Sequence, residues 1–290
     1  MAALTYHAPN SIDDAIKILA DASLPPKVLS GGTDLIIQMQ RPKAPEALVV
    51  DVKKIPGMRD AEWSEDGLTL GPAMSCAEFT KRQDIKSIFP GLVEAAYLIG
   101  STQVQGRASL GGNLCNASPA ADTIPALIAN RAICVIQGPS GTRVVPVEAF
   151  VTGVGKNCLE QGELLAALTL ARPEPGTADA YLRFIPRTEM DIAVAGAAVS
   201  LTLDSRGVCT NARIAIGAVA PTAILVPVAE DILVGETISD EVLAGVAQAA
   251  SDAASPISDR RGTVEFRRHV VGVLTKRATL IAAERAGAQL

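Results

Sequence analysis

Histidine is almost missing from this sequence: only His7 and His269 occur in 290 residues. Metal centres and catalytic triads built on imidazole therefore have almost no material. The five cysteines, Cys76, Cys115, Cys134, Cys158 and Cys209, are scattered and contain no C-x-x-C pair. That pattern disfavours a zinc site, a disulfide framework and a chain-borne iron–sulfur cluster, and fits reduced thiols packed as small hydrophobes. A basic excess is also lacking, since the formal net charge is −5, which argues against a nucleic-acid partner. No apolar run approaches the roughly 20 residues that span a bilayer. The longest, Ala193 to Leu203, is too short and carries Gly196 and Ser200. Met1 to Ser11 shows no basic flank before an apolar stretch, so no signal peptide is expected and cytoplasmic residence is the default. Aromatics make up only 3%, which leaves Ala, Val, Ile and Leu to fill the cores. If the chain does redox work, an organic cofactor must carry it.

What is present reads as two α+β blocks followed by a sheet-and-helix domain. Ser11 with Asp14 starts a helix to Asp21, whose Ile12, Ala15, Ile16 and Leu19 share one face. Lys27 to Ser30 and Leu48 to Val52 read as strands, Asp34 to Gln40 as one or two helical turns, and Pro42, Pro45 and Pro56 as punctuation. Hairpins are expected around Ser64–Gly67 and Gly138–Gly141. Ser75 with Glu78 caps a helix to about Arg82, and helices are expected over Leu92 to Leu98 and Thr123 to Ala129. Between these, Ile99 to Pro119 reads as a long turn-rich stretch. Leu164 to Leu170 is a further strand. Arg172 to Thr177 is the best linker, after which three antiparallel strands (180–185, 193–203, 208–218) and three helices (227–233, 240–253, 263–286) follow. The expected subdivision is 1–56, 57–175 and 176–290.

Two segments carry the chemistry: Leu29-Ser30-Gly31-Gly32-Thr33-Asp34 and Ala108-Ser109-Leu110-Gly111-Gly112-Asn113. Paired glycines let the backbone approach a bulky anion and present successive N–H donors to phosphate oxygens. Ser30, Thr33, Ser109 and Asn113 add small hydrogen-bonding groups. Neither segment fits a Walker loop or a G-x-G-x-x-G turn, and a glycine pair after a strand is often only a turn. The second segment runs on through Leu114-Cys115-Asn116-Ala117-Ser118-Pro119-Ala120-Ala121-Asp122, small residues suited to a wall against a flat ligand. Asp122 is either an acceptor for a ribose hydroxyl or a helix N-cap.

The motifs S-G-G-T-D (Ser30 to Asp34) and A-S-L-G-G-N-L-C-N-A-S-P-A-A-D (Ala108 to Asp122) resemble the FAD-binding medium subunits of xanthine, aldehyde and carbon monoxide dehydrogenase-like enzymes. Arg183, Arg187 and Met190 to Ala193, with Asp259 to Gly262, Phe266 to Arg268 and Leu274 to Ala278, extend the resemblance over essentially the whole chain. The resemblance implies an α+β fold: a vanillyl-alcohol-oxidase-like FAD-binding domain of two α+β subdomains, then a smaller C-terminal domain of antiparallel sheet plus helices. It implies that Lys27, Val28, Leu29, Ser30, Gly31, Gly32, Thr33 and Asp34 wrap the pyrophosphate of a non-covalent FAD. Ala108, Ser109, Gly111, Gly112, Asn113, Cys115 and Asn116 would line the diphosphate and flavin, and Asp122 would take the adenosine ribose. Ile99 falls where relatives place an aromatic ring, and Leu165 or Leu168 would wall the cofactor. Arg183 stands where Lys is common near the flavin edge, and keeps the charge with different geometry.

Such subunits pass electrons and leave the organic substrate to others. The resemblance places a molybdopterin cofactor on a large partner and [2Fe–2S] clusters on a small one, in a dimer of heterotrimers. The alternatives are a self-contained flavoenzyme and a non-enzymatic module whose glycine pairs are mere turns. No acid–base pair is evident for the former. Arg260, Arg261, Arg267 and Arg268 form either a solvated helix face or a docking surface for a partner.

Overall fold

The computed structural model describes residues 4–41 and 46–288; Pro42 and Pro45 lie outside them. The first block alternates strand and helix: β1 (Leu4–His7), α1 (Ile12–Ala20), β2 (Pro26–Leu29), α2 (Leu35–Met39) and β3 (Ala47–Asp51). Its parallel sheet has the order β1-β3-β2. The middle strand is buried along its length, as an apolar Ala-Leu-Val-Val run in a parallel sheet requires. Ser11 caps α1 by accepting from the N–H of Asp14, and Ala15 and Leu19 turn inward. They join Leu48, Val50, Val52, Ile55 and Met58 in a small core.

The second block opens with β4 (Ala61–Trp63) and β5 (Gly67–Leu70), then six helices: α3 (Cys76–Phe79), α4 (Gln83–Lys86), α5 (Pro90–Tyr97), α6 (Thr102–Gln105), α7 (Leu110–Asn116) and α8 (Thr123–Ala129). It continues with β6 (Ile133–Gly138), β7 (Gly141–Pro146), α9 (Val147–Phe150), β8 (Val151–Gly153), β9 (Lys156–Asn157) and β10 (Leu164–Ala171). Its main sheet runs β4-β5-β10-β6-β7. The stretch expected to be turns, Ile99 to Pro119, holds α6 and α7 instead. Glycine costs about 1 kcal/mol in a helix, but Ser109 caps α7 by accepting from the N–H of Gly112 at 3.1 Å. Gly111 then sits so close to Pro72 that any side chain would collide, with a Cβ falling 2.3 Å from the Pro72 Cβ. Packing and capping override propensity here.

The C-terminal sheet has the order β11-β12-β13-β14, from β11 (Thr177–Phe184), β12 (Ala195–Leu203), β13 (Cys209–Gly217) and β14 (Ile224–Leu225). Helices α10 (Pro227–Leu233), α11 (Asp240–Ala253) and α12 (Val264–Ala286) follow. Ala197, Val199, Ile214 and Ile216 enter the core shared with these helices, while Tyr181, Ala198 and Ala215 enter the core of the second block. A sheet covered on both faces explains why β12 is so rich in small apolar residues.

Asp179 ties the blocks together. Phe89, at the N-cap of α5, supplies no capping side chain. The buried Asp179 carboxylate on β11 does so instead, accepting from the N–H groups of Gly91 (2.8 Å) and Leu92 (2.9 Å) and from Asn130 (2.7 Å). Burial outweighs these donors and pushes the carboxyl up to about 6. A folded value above that of the unfolded chain means the folded state holds the extra proton between those two values. Stability from this group is therefore complete below about pH 4 and lost as pH rises through about 6, by about 3 kcal/mol. Urea unfolding from pH 4 to 7 should show a smaller decline for Asp179→Asn than for the unchanged chain. Parallel declines would contradict the assignment.

Candidate functional site

Where the first two blocks meet, a cavity of about 610 Å³ opens, a size that fits a cofactor site. One wall is the turn from β2 into α2. Pro26, Lys27, Val28 and Ser30 line the cavity, whereas Leu29 is not part of its lining. Gly32 then takes a left-handed φ of +82°, which turns the chain over the cavity mouth. Among the described residues, no protein group accepts from the backbone N–H of Gly31, Gly32, Thr33 or Asp34. Gly31, Gly32 and Thr33 are half-buried and Asp34 is exposed; amides taken from water seldom go unpaired, so the first three fit an external anion.

The opposite wall is the start of α7. A Cβ on Gly31 would lie 1.9 Å from the Arg107 carbonyl oxygen, so the two glycine segments touch backbone to backbone. The Ser30 and Ser109 hydroxyls bridge them at 2.7 Å. Gln38 on α2 donates to the Asn116 side chain at 3.1 Å, closing the same seam further along. Asn113 is oriented by Thr123, whose hydroxyl donates to its side-chain oxygen at 2.7 Å. Burial pushes the Cys115 thiol up to about 12, with Cys158 a smaller contributor. It is thus a protonated apolar wall and not a thiolate nucleophile, in keeping with a non-covalent ligand.

A third wall runs from Gly155 to Leu165, of which only Leu165 was anticipated. Its only sequence signal is a polar turn-rich stretch between strands, the kind of segment that carries binding groups. It is anchored from both sides. Asn157 donates to the Cys115 carbonyl at 3.0 Å and Gln161 to the Ala20 carbonyl at 3.2 Å. Arg143 grips Glu163 with two hydrogen bonds of 2.7 Å.

The cavity gathers Lys27, Val28, Ser30, Gly31, Gly32, Thr33, Asp34, Ile99, Ala108, Ser109, Gly111, Gly112, Asn113, Cys115, Asn116 and Leu165. Four other expected residues, Leu29, Leu168, Asp122 and Arg183, lie outside its lining. A β-bulge between Leu165 and Ala167 puts Leu165 and Leu168 on one face. Leu168 is two pairs further along, fully buried between Leu70 and Cys134. Asp122 heads α8 but makes no capping bond. Its carboxylate accepts from the Tyr181 hydroxyl at 2.9 Å and from Arg183 at 2.7 Å. The pair is buried, with side-chain exposures of 8% and 5%. Burial pushes Asp122 up to about 6, opposed by Arg183 and Tyr181. The capping reading of Asp122 therefore gives way to a contact that joins the second block to β11.

Matches to known proteins agree with this geometry. Residues 2–173 match the family described as FAD binding domain in molybdopterin dehydrogenase, and residues 180–282 the CO dehydrogenase flavoprotein C-terminal domain. The xanthine dehydrogenase FAD-binding subunit of Escherichia coli O157:H7 is 31% identical, over 99% of this chain and 98% of that protein. The carbon monoxide dehydrogenase medium chain of Hydrogenophaga pseudoflava is 30% identical, over 94% of each. A solved structure of the Hydrogenophaga pseudoflava enzyme, lacking the Mo-pyranopterin moiety of its molybdenum cofactor, superposes with a TM-score of 0.92 over 97% of this chain and 98% of the other, at 31% identity. Paired glycine segments facing across one cavity, a C-terminal antiparallel sheet and these matches place the chain in the family of FAD-binding subunits of molybdopterin-dependent dehydrogenases.

Proposed function

We propose that this chain is the electron-transfer subunit of a molybdenum hydroxylase. Electrons arrive from [2Fe–2S] clusters on a small partner subunit and leave to an external acceptor. A large partner carrying the molybdopterin cofactor oxidises the organic substrate. The assembly is a dimer of heterotrimers in the cytoplasm. The observation that carries this reading is the cavity itself. Its donors are backbone amides and small hydroxyls suited to a diphosphate, while of its lining carboxylates Glu163 is held by Arg143 and Asp34 and Glu160 are exposed.

Bound FAD supplies reversible one- and two-electron exchange. The protein's share is to hold and shield it. The amides of Gly31 to Thr33 bind the diphosphate, and Ser30 and Ser109 fix the spacing of the two segments. Ile99, Cys115 and Leu165 exclude water from the ring system. We place Asp122, Arg183, Leu29 and Leu168 behind this lining as supports.

The isolated chain should bind one FAD, accept electrons from dithionite and give them up again. It should stay oxidised with aldehydes, purines and N-heterocycles until both partner subunits are added. Bleaching of the flavin absorbance by an organic compound in the chain alone would overturn the proposal in favour of a self-contained flavoenzyme.

A further inference from the structure

A lysine outside the cavity lining reaches the glycine segment from behind. Lys53 follows β3, and its ammonium donates to the Ser30 carbonyl at 2.9 Å. A trans peptide is planar, with its C=O and N–H pointing in opposite directions. Fixing the Ser30 carbonyl toward Lys53 therefore aims the N–H of the same peptide, that of Gly31, the other way. That N–H belongs to a cavity-lining residue and has no acceptor among the described residues. The Arg107 carbonyl packed against Gly31 leaves the peptide little room to swing.

Lys53 is itself held firmly. Asp51 accepts from its ammonium at 2.7 Å and from its backbone N–H at 3.0 Å. The Tyr6 hydroxyl donates to the other Asp51 oxygen at 2.8 Å. The charges of Asp51 and Lys53 balance, so what reaches the cavity is a polarised, oriented amide. Neither lysine nor aspartate here touches the space a ligand would fill.

We propose that Lys53 is a positioning residue for the diphosphate of the bound cofactor, acting through the Ser30–Gly31 peptide. The proposal rests on the FAD reading of the cavity. It is tested on the full chain stripped of flavin, titrated with FAD and, in competition, with ADP, which carries the diphosphate without the flavin. Lys53→Met should weaken both by about tenfold, Lys53→Gln should weaken both by a smaller factor, and Lys53→Arg should restore both to within about threefold. Should Lys53→Met not fold, Lys53→Gln and Lys53→Arg still decide the matter. Unchanged affinities in the Met and Gln variants, a loss confined to FAD, or no restoration by arginine would each overturn it. A wild-type chain that takes up neither FAD nor ADP would overturn the cofactor reading, and this proposal with it.

Discussion

Gly31→Ala should cost the chain its FAD. The added Cβ would sit 1.9 Å from the Arg107 carbonyl oxygen and 2.6 Å from its carbon. Both are backbone atoms, so no rotamer change relieves the clash, and the two glycine segments must part. Overpacking of this kind costs about 1–3 kcal/mol or more. Here it also displaces the row of amides proposed to bind the diphosphate. FAD affinity should fall by about a hundredfold, measured by flavin fluorescence on titrating the stripped chain. Gly153→Ala is the matched control, since its nearest neighbour is a Lys156 side-chain atom at 3.9 Å. An alanine at 31 that binds FAD within threefold of the unchanged chain would show that the segments do not need their close contact.

Arg267→Ala should destabilise the C-terminal domain by about 3–5 kcal/mol in urea unfolding. Arg267 was one of the arginines read as a solvated face or a docking surface, and it is neither. Its side chain is buried, donating to the carbonyls of Val194 (2.8 Å) and Ala218 (3.2 Å) and to Asp259 (2.7 Å). It thereby pins the start of α12 to the ends of two strands and to the segment before the helix. The backbone N–H of Arg261 and then the Arg267 guanidinium hold Asp259 below the usual carboxylate range. Arg268 is exposed, although its Nε donates to the Ala254 carbonyl at 3.0 Å. Charge reversal at Arg267 would damage the domain itself. A loss under about 1 kcal/mol for Arg267→Ala would mean that water replaces these bonds without penalty.

Local signals in the sequence carried much of this architecture. The helices 227–233 and 240–253 were legible because Pro227 and Ser239 mark their starts. The hairpin about Gly138 to Gly141 was legible because apolar runs flank a glycine-proline turn. β1 was not legible: its four residues are exposed and are held by pairing with β3, more than forty residues on. α7 was hidden because its stabilisation comes from Pro72, and two glycines mask its helical character. The glycine segments announced an anion site, yet spacing could not reveal that they abut. Asp122 and Arg183 stand 61 residues apart, and nothing local to either says that they neutralise each other. Lys53 was silent for the same reason, since its target is a backbone carbonyl.

The central claim is that this chain holds FAD for partners that own the substrate chemistry. It is tested most directly by tagging the chain in its own cells, purifying it under native conditions and measuring flavin, molybdenum and iron together. The account predicts one FAD per chain, with molybdenum and iron co-purifying on two further subunits. A chain recovered with FAD alone, free of both metals and reduced by an organic substrate, would contradict it.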